Sequence, residues 1–124
     1  MTDSPRSLRV LVVDDNVDAA DSMAALLDMI GHQARVVYSG EAVLPEVQAW
    51  TPDCVLLDIG LPGKDGYEVA RELRAQGYQR ALVALTGWGS EDDRRRTAEA
   101  GFDRHLTKPV ELEALESLLR QLPA

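Results

Sequence analysis

Five times along this chain of 124 residues, a short apolar run ends on a polar residue and gives way to a longer stretch with apolar groups at helical spacing. The runs Arg9-Val10-Leu11-Val12-Val13, Cys54-Val55-Leu56-Leu57 and Ala81-Leu82-Val83-Ala84-Leu85 are apolar throughout once past Arg9. Runs this short, bounded by turn residues, read as strands covered on both faces. Residues 34–38, interrupted by Arg35, and Arg104-His105-Leu106-Thr107 are mixed in character and read as edge strands. A β-α alternation with right-handed crossovers implies an α/β fold, a parallel sheet doubly wound by five helices.

The helical stretches carry their own start and stop signals. Asn16 is placed to cap a first helix, with Val17, Ala20, Ala24 and Leu27 at helical spacing, Met23 and Ile30 beside them, and Gly31 as its stop. A second pattern opens at Ser39 and Glu41 and carries Ala42, Val43, Val47 and Trp50. Pro45 lies inside it, so either a kink or a start later than Ser39 is expected. The third helix runs from Tyr67 to about Ala75 and buries Val69, Ala70 and Leu73. Ser90 is expected to cap a fourth, with Glu91-Asp92-Asp93 favourable against the helix dipole; Ala98 and Ala100 are nearly all its apolar surface, so it is held weakly. Leu112, Leu115, Leu119 and Leu122, with Leu118 alongside, form the apolar stripe of the last helix. With apolar strands in the centre and mixed ones at the rims, the sheet fits the flavodoxin-like order 2-1-3-4-5.

Composition removes several classes of function. The chain is one domain, with residues 1–7 a frayed tail and residues 8–122 the folded unit. No apolar run is long enough to span a membrane and the N-terminus lacks a signal core, so the expected location is the cytoplasm. One cysteine forbids an internal disulfide, and Cys54 reads as a small buried hydrophobe. A net charge of −8 opposes binding to nucleic acid or an acidic membrane surface, but not to a metal cation.

In a parallel sheet the C-terminal strand ends share one edge. Asp14 and Asp15 follow the first strand, Asp58 the third, Thr86 the fourth and Lys108 the fifth, so these groups converge. Three carboxylates in one pocket repel unless a cation or protons intervene, and Mg²⁺ suits an open site with few oxygen ligands. A lysine and a hydroxyl beside the metal meet the needs of a phosphoryl group's equatorial oxygens, and a carboxylate can itself be the nucleophile.

With Asp14-Asp15, Asp58, Leu61-Pro62-Gly63-Lys64-Asp65-Gly66, Thr86-Gly87 and Lys108-Pro109 at matching strand ends, the chain resembles a response-regulator receiver domain from about Leu8 to Leu122. The resemblance implies the following roles. Asp58 accepts a phosphoryl group from a phosphohistidine on a histidine kinase or histidine phosphotransfer protein. Asp15, Asp58 and the Gly60 carbonyl bind Mg²⁺, with Asp14 acting through water. Lys108 pairs with the phosphoryl oxygens, and the Lys108–Pro109 bond is cis. Thr86 moves toward the phosphoryl group, and the surface of the fourth helix, fifth strand and fifth helix signals to a protein partner. Such a domain is not an enzyme in its own right, though it assists its own phosphorylation and dephosphorylation.

Some positions depart from the family pattern. His105 stands where a tyrosine or phenylalanine usually serves as a rotamer switch, and its charge can change near neutral pH. Lys64 stands where methionine is common, and Trp88 is expected to overhang the site and slow hydrolysis. Arg94-Arg95-Arg96 reads as a solvated helix face and His32 as a surface loop residue. An electron carrier would need a phosphate-receiving first loop, which Asp14-Asp15 opposes. A phosphohydrolase with an Asp nucleophile commonly has a second carboxylate where Gly60 stands. The remaining alternative is a receiver-like module that binds partners without phosphorylation. The sequence ends just after the last helix, so the expectation is a receiver without an output domain, and Met1 favours a stand-alone receiver over one cut from a hybrid kinase.

Overall fold

Burial sorts the strands as their composition does. The computed structural model describes residues 7–87 and 91–122, with side chains left out at 91–93. Its elements alternate: β1 (Arg9–Val13), α1 (Val17–Met29), β2 (Gln33–Val37), α2 (Val43–Trp50), β3 (Cys54–Asp58), α3 (Gly66–Ala75), β4 (Ala81–Thr86), α4 (Glu91–Ala100), β5 (Arg104–Thr107) and α5 (Leu112–Gln121). The sheet has the order β2-β1-β3-β4-β5, and every pairing is parallel. All five residues of β3 are buried, whereas the residues of β2 and β5 at the rims are half-buried or exposed apart from Leu106.

Successive strand residues point to opposite faces, and both faces are covered, which is why the central strands are apolar throughout. Leu11, Val13, Val55, Leu57, Leu82 and Ala84 face α2 and α3, packing with Val47, Trp50, Val69 and Leu73. Val10, Val12, Cys54, Leu56, Val83 and Leu85 face α1 and α5, packing with Ala20, Leu27, Leu115 and Leu119.

The difficulty at Pro45 is resolved by a late start. α2 begins at Val43, so the proline falls in the first turn, where no intrahelical N–H partner is required. The helix stops at Thr51, which takes a left-handed conformation with φ 50°. The apolar stripe of α1 is narrower than its spacing implies. Ala20, Met23 and Leu27 are buried, but Val17 is 49% exposed because it lies at the open first turn. In α4 the inward side chains are Thr97 and Ala100, while Ala98 faces solvent. The expected Ser90 cap, Trp88 and, Ser7 apart, the N-terminal tail lie outside the described residues.

Candidate functional site

The end of β1 builds the first wall of the site. Asn16 caps α1 by accepting from the Ala19 N–H at 3.1 Å, and its own N–H donates to Asp14 Oδ1 at 3.0 Å. One residue therefore starts the helix and holds the preceding carboxylate. Asp14 is 4% exposed, whereas Asp15 next to it is solvent-facing.

Asp58 ends β3 and is 8% exposed. Its Oδ1 accepts from the Gly60 N–H at 2.9 Å, which fixes the plane of the carboxylate. The loop can turn this tightly because of Gly66. A Cβ there would lie 2.5 Å from the Ile59 Cα and 2.7 Å from the Asp58 carbonyl oxygen, so no side chain fits. Asp65 then caps α3 by accepting from the Glu68 N–H at 3.0 Å.

The opposite wall comes from β4 and β5. Thr86 pairs with Thr107 in register, and the Lys108 N–H donates to the Thr86 carbonyl at 2.7 Å. The Lys108–Pro109 bond is cis. Lys108 Nζ lies 3.0 Å from Asp58 Oδ2 and 3.3 Å from Asp14 Oδ2, so a single ammonium bridges two buried carboxylates. Asp14, Asp15 and Asp58 each present an oxygen within 4.8 Å of the others. The sheet edge thus brings together Asp14, Asp15, Asp58 and Lys108, with Thr86 and Gly60 on the same rim.

Electrostatics reflect this crowding. Burial raises the Asp14 carboxyl above its ordinary value, and Asp58 adds to the effect, while the Asn16 N–H and Lys108 oppose it. Burial works against the Lys108 ammonium, but hydrogen bonding and attraction to Asp58, together with Asp14, leave it raised. The hard oxygen donors and their excess negative charge match what a small divalent cation requires. Thr86 Oγ1 is buried and has no hydrogen-bond partner among the described residues. A hydroxyl left so is an available donor at the rim of the site.

His105 is half-buried on β5. Burial lowers its pKa and Arg94 lowers it further. The arginine run is exposed as expected, but Arg96 also stacks over the Tyr67 ring at 4.5 Å, tying α4 to α3. His32 is half-buried rather than free at the surface, because its Nδ1 accepts from the Leu8 N–H at 3.1 Å. Two further contacts near the site had no sequence signal beyond opposite charge eight residues apart: Lys64 Nζ sits 2.6 Å from both Glu72 carboxylate oxygens.

The family model of the response regulator receiver domain matches residues 10–120. The chain belongs to the response-regulator receiver family. This receiver is similar to the response regulator MprA of Mycobacterium bovis, with 34% identity over 116 residues, or 94% of this chain and 50% of that protein. It therefore spans about half the length of the curated relatives it matches. Among solved structures, NtrX from Brucella abortus superposes with a TM-score of 0.86 at 27% identity, covering 94% of the receiver and 27% of that chain. The chemotaxis protein CheY4 of Vibrio cholerae has the same fold, with a TM-score of 0.90 at 23% identity over 95% of the receiver and 100% of that chain. The receiver domain is the signal-accepting part of two-component response regulators, and the acidic pocket lies where its strand ends converge. No helix among the described residues is long and apolar enough to cross a membrane.

Proposed function

We propose that Asp58 is the phosphoacceptor of this receiver and that the donor is a phosphohistidine on a kinase or phosphotransfer protein. One observation carries the reading: Lys108 bridges Asp58 and Asp14 in a cluster of three carboxylates whose oxygens lie within 4.8 Å. An Asp58 oxygen forms a bond to phosphorus as the donor's P–N bond breaks. The electron pair stays on the imidazole nitrogen, which takes a proton from water. The Gly60 N–H keeps the carboxylate oriented throughout, so little rearrangement precedes attack.

Asp15, Asp58 and the Gly60 carbonyl would hold Mg²⁺, with Asp14 acting through water. The bound ion would supply positive charge against the transferring phosphoryl oxygens. Lys108, now between two carboxylates, shifts to a phosphoryl oxygen as charge builds there. Thr86 donates its unpartnered hydroxyl to another, drawing the end of β4 inward. α4 and β5 then change position, with His105 in the moving surface, and a protein partner reads that change. The domain extends over residues 8–122, acts in the cytoplasm, assists both gain and loss of its own phosphoryl group, and binds neither nucleic acid nor membrane.

Incubation with Mg²⁺ and acetyl phosphate, read by intact mass, tests the assignment. The expected result is one labile phosphoryl adduct on the wild type and none on Asp58→Ala. No adduct on the wild type, or an adduct that survives in Asp58→Ala, refutes it.

A further inference from the structure

We infer that Lys64 and Glu72 form a clamp that positions the metal-binding loop after β3. The inference rests on the site proposed above and adds two residues that touch neither metal nor phosphoryl group. Three anchors hold the loop between Asp58 and α3. Leu61 is 4% exposed in the core, and Asp65 caps α3. The third anchor is Lys64, whose ammonium meets both oxygens of Glu72, about two turns into α3 from the cap.

The clamp is better placed than a surface ion pair. Its side chains are 26% and 34% exposed, and both Glu72 oxygens share the one cation. The Lys64 backbone is fixed too. Gly40, in the loop after β2, is buried against the Lys64 carbonyl and Val69, and any side chain at position 40 would strike that carbonyl. Lys64 is thus where the loop, α3 and the β2–α2 connection meet. Between Asp58 and this point lies Gly60, which supplies an N–H to Asp58 Oδ1 and, in the proposed site, a carbonyl to the metal. The tip at Pro62-Gly63 is exposed, and Gly63 takes φ +73°. With the clamp broken, residues 62–64 are free to relax, and the single side chain of Leu61, next to Gly60, is left to hold the near half of the loop. Gly60 then presents its carbonyl over a wider range of positions, and metal affinity falls while the chemistry of a loaded site does not.

Two influences of charge at these positions can be told apart by sign. Acting only through space, loss of the Lys64 cation would tighten Mg²⁺ binding and loss of the Glu72 anion would weaken it. Acting as a clamp, either loss weakens it. The test is calorimetric titration of the full chain with magnesium chloride, for the wild type, Lys64→Met, Glu72→Gln and the swap Lys64→Glu/Glu72→Lys. Both single variants are expected to bind Mg²⁺ about two- to fivefold more weakly, the range that a partly exposed ion pair supports, and the swap to regain most of that loss. With acetyl phosphate, the phosphorylation rate at saturating Mg²⁺ stays near the wild-type value. Unchanged affinity in either single variant, opposite signs in the two, or no recovery in the swap overturns the clamp. If the wild type binds Mg²⁺ and gains no adduct, it is the phosphoacceptor assignment that fails, independently of the clamp.

Discussion

Thr86→Val makes a sharp test of the unpartnered hydroxyl, because it predicts that removing a polar group from the site strengthens the resting fold. Thr86 is 3% exposed and its Oγ1 has no partner among the described residues. A buried hydroxyl left so costs roughly 1–3 kcal/mol, and valine matches threonine in shape and in β-branching. The substitution therefore opens no cavity and leaves strand preference intact. Allowing for residual exposure and relaxation, the expected gain is about 1–2 kcal/mol, or about 4–8 °C in Tm for a domain of this size. Urea denaturation gives the gain as a higher midpoint at unchanged slope. With Mg²⁺ and beryllofluoride, the wild-type hydroxyl acquires a charged acceptor, worth about 1.5–3 kcal/mol. The advantage of the valine variant then vanishes or reverses. Equal or lower stability of Thr86→Val without the phosphoryl mimic would show that the hydroxyl is already satisfied, and the coupling argued from it would fall.

Gly66→Ala forces a Cβ against the Ile59 Cα and the Asp58 carbonyl; it is expected to destabilise by about 1–3 kcal/mol in urea melts and to slow phosphorylation by displacing Asp58. Arg74 donates to the carbonyls of Gly101, Tyr78 and Arg80 at 2.8–3.0 Å and to Asp103 Oδ2 at 2.9 Å. Arg74→Ala should lower stability by about 2 kcal/mol, mostly from the orphaned carbonyls, since the half-exposed pair with Asp103 adds little; a loss under about 0.5 kcal/mol would show the carbonyls are satisfied by water. His32 has a pKa lowered by burial, against a smaller opposing pull from Glu116. Its unfolded-state value is higher, about 6.5, so the unfolded chain binds more protons in the window below that value. Stability is therefore full above about pH 6.5 and falls as pH drops through the folded-state value, when Nδ1 no longer accepts from Leu8. NMR titration should place the imidazole below its unfolded value, and His32→Asn, which keeps an acceptor, should flatten this part of the acid limb.

Some of this structure is written in local composition and some is not. Wholly apolar runs placed β1, β3 and β4 in the interior, and Arg35 and Arg104 marked the rims, because a strand covered on two faces excludes charge while an edge tolerates it. Pro45 announced where α2 could not begin, though not that the start would fall at Val43. The carboxylates and lysine were readable as a site because parallel strands put their ends together whatever the details of packing. Long side chains were the least readable. Arg74, Arg96 and Lys64 look alike in sequence, yet one ties four groups together, one stacks on an aromatic ring and one clamps a loop. Their reach of several bonds lets tertiary neighbours decide, and those neighbours lie in other elements. His32 escaped for the related reason that its partner is a backbone N–H, which every residue but proline carries.

The position of β3 has a consequence for how such a domain can respond at all. It is paired on both sides, to β1 and β4, and every one of its residues is buried, so the strand bearing Asp58 has nowhere to go. Four-residue β5 hangs from a single neighbour. A disturbance introduced at the middle of the sheet finds its slack at the two margins, of which β5 is the shorter, as slack in a woven cloth gathers at its loose hem.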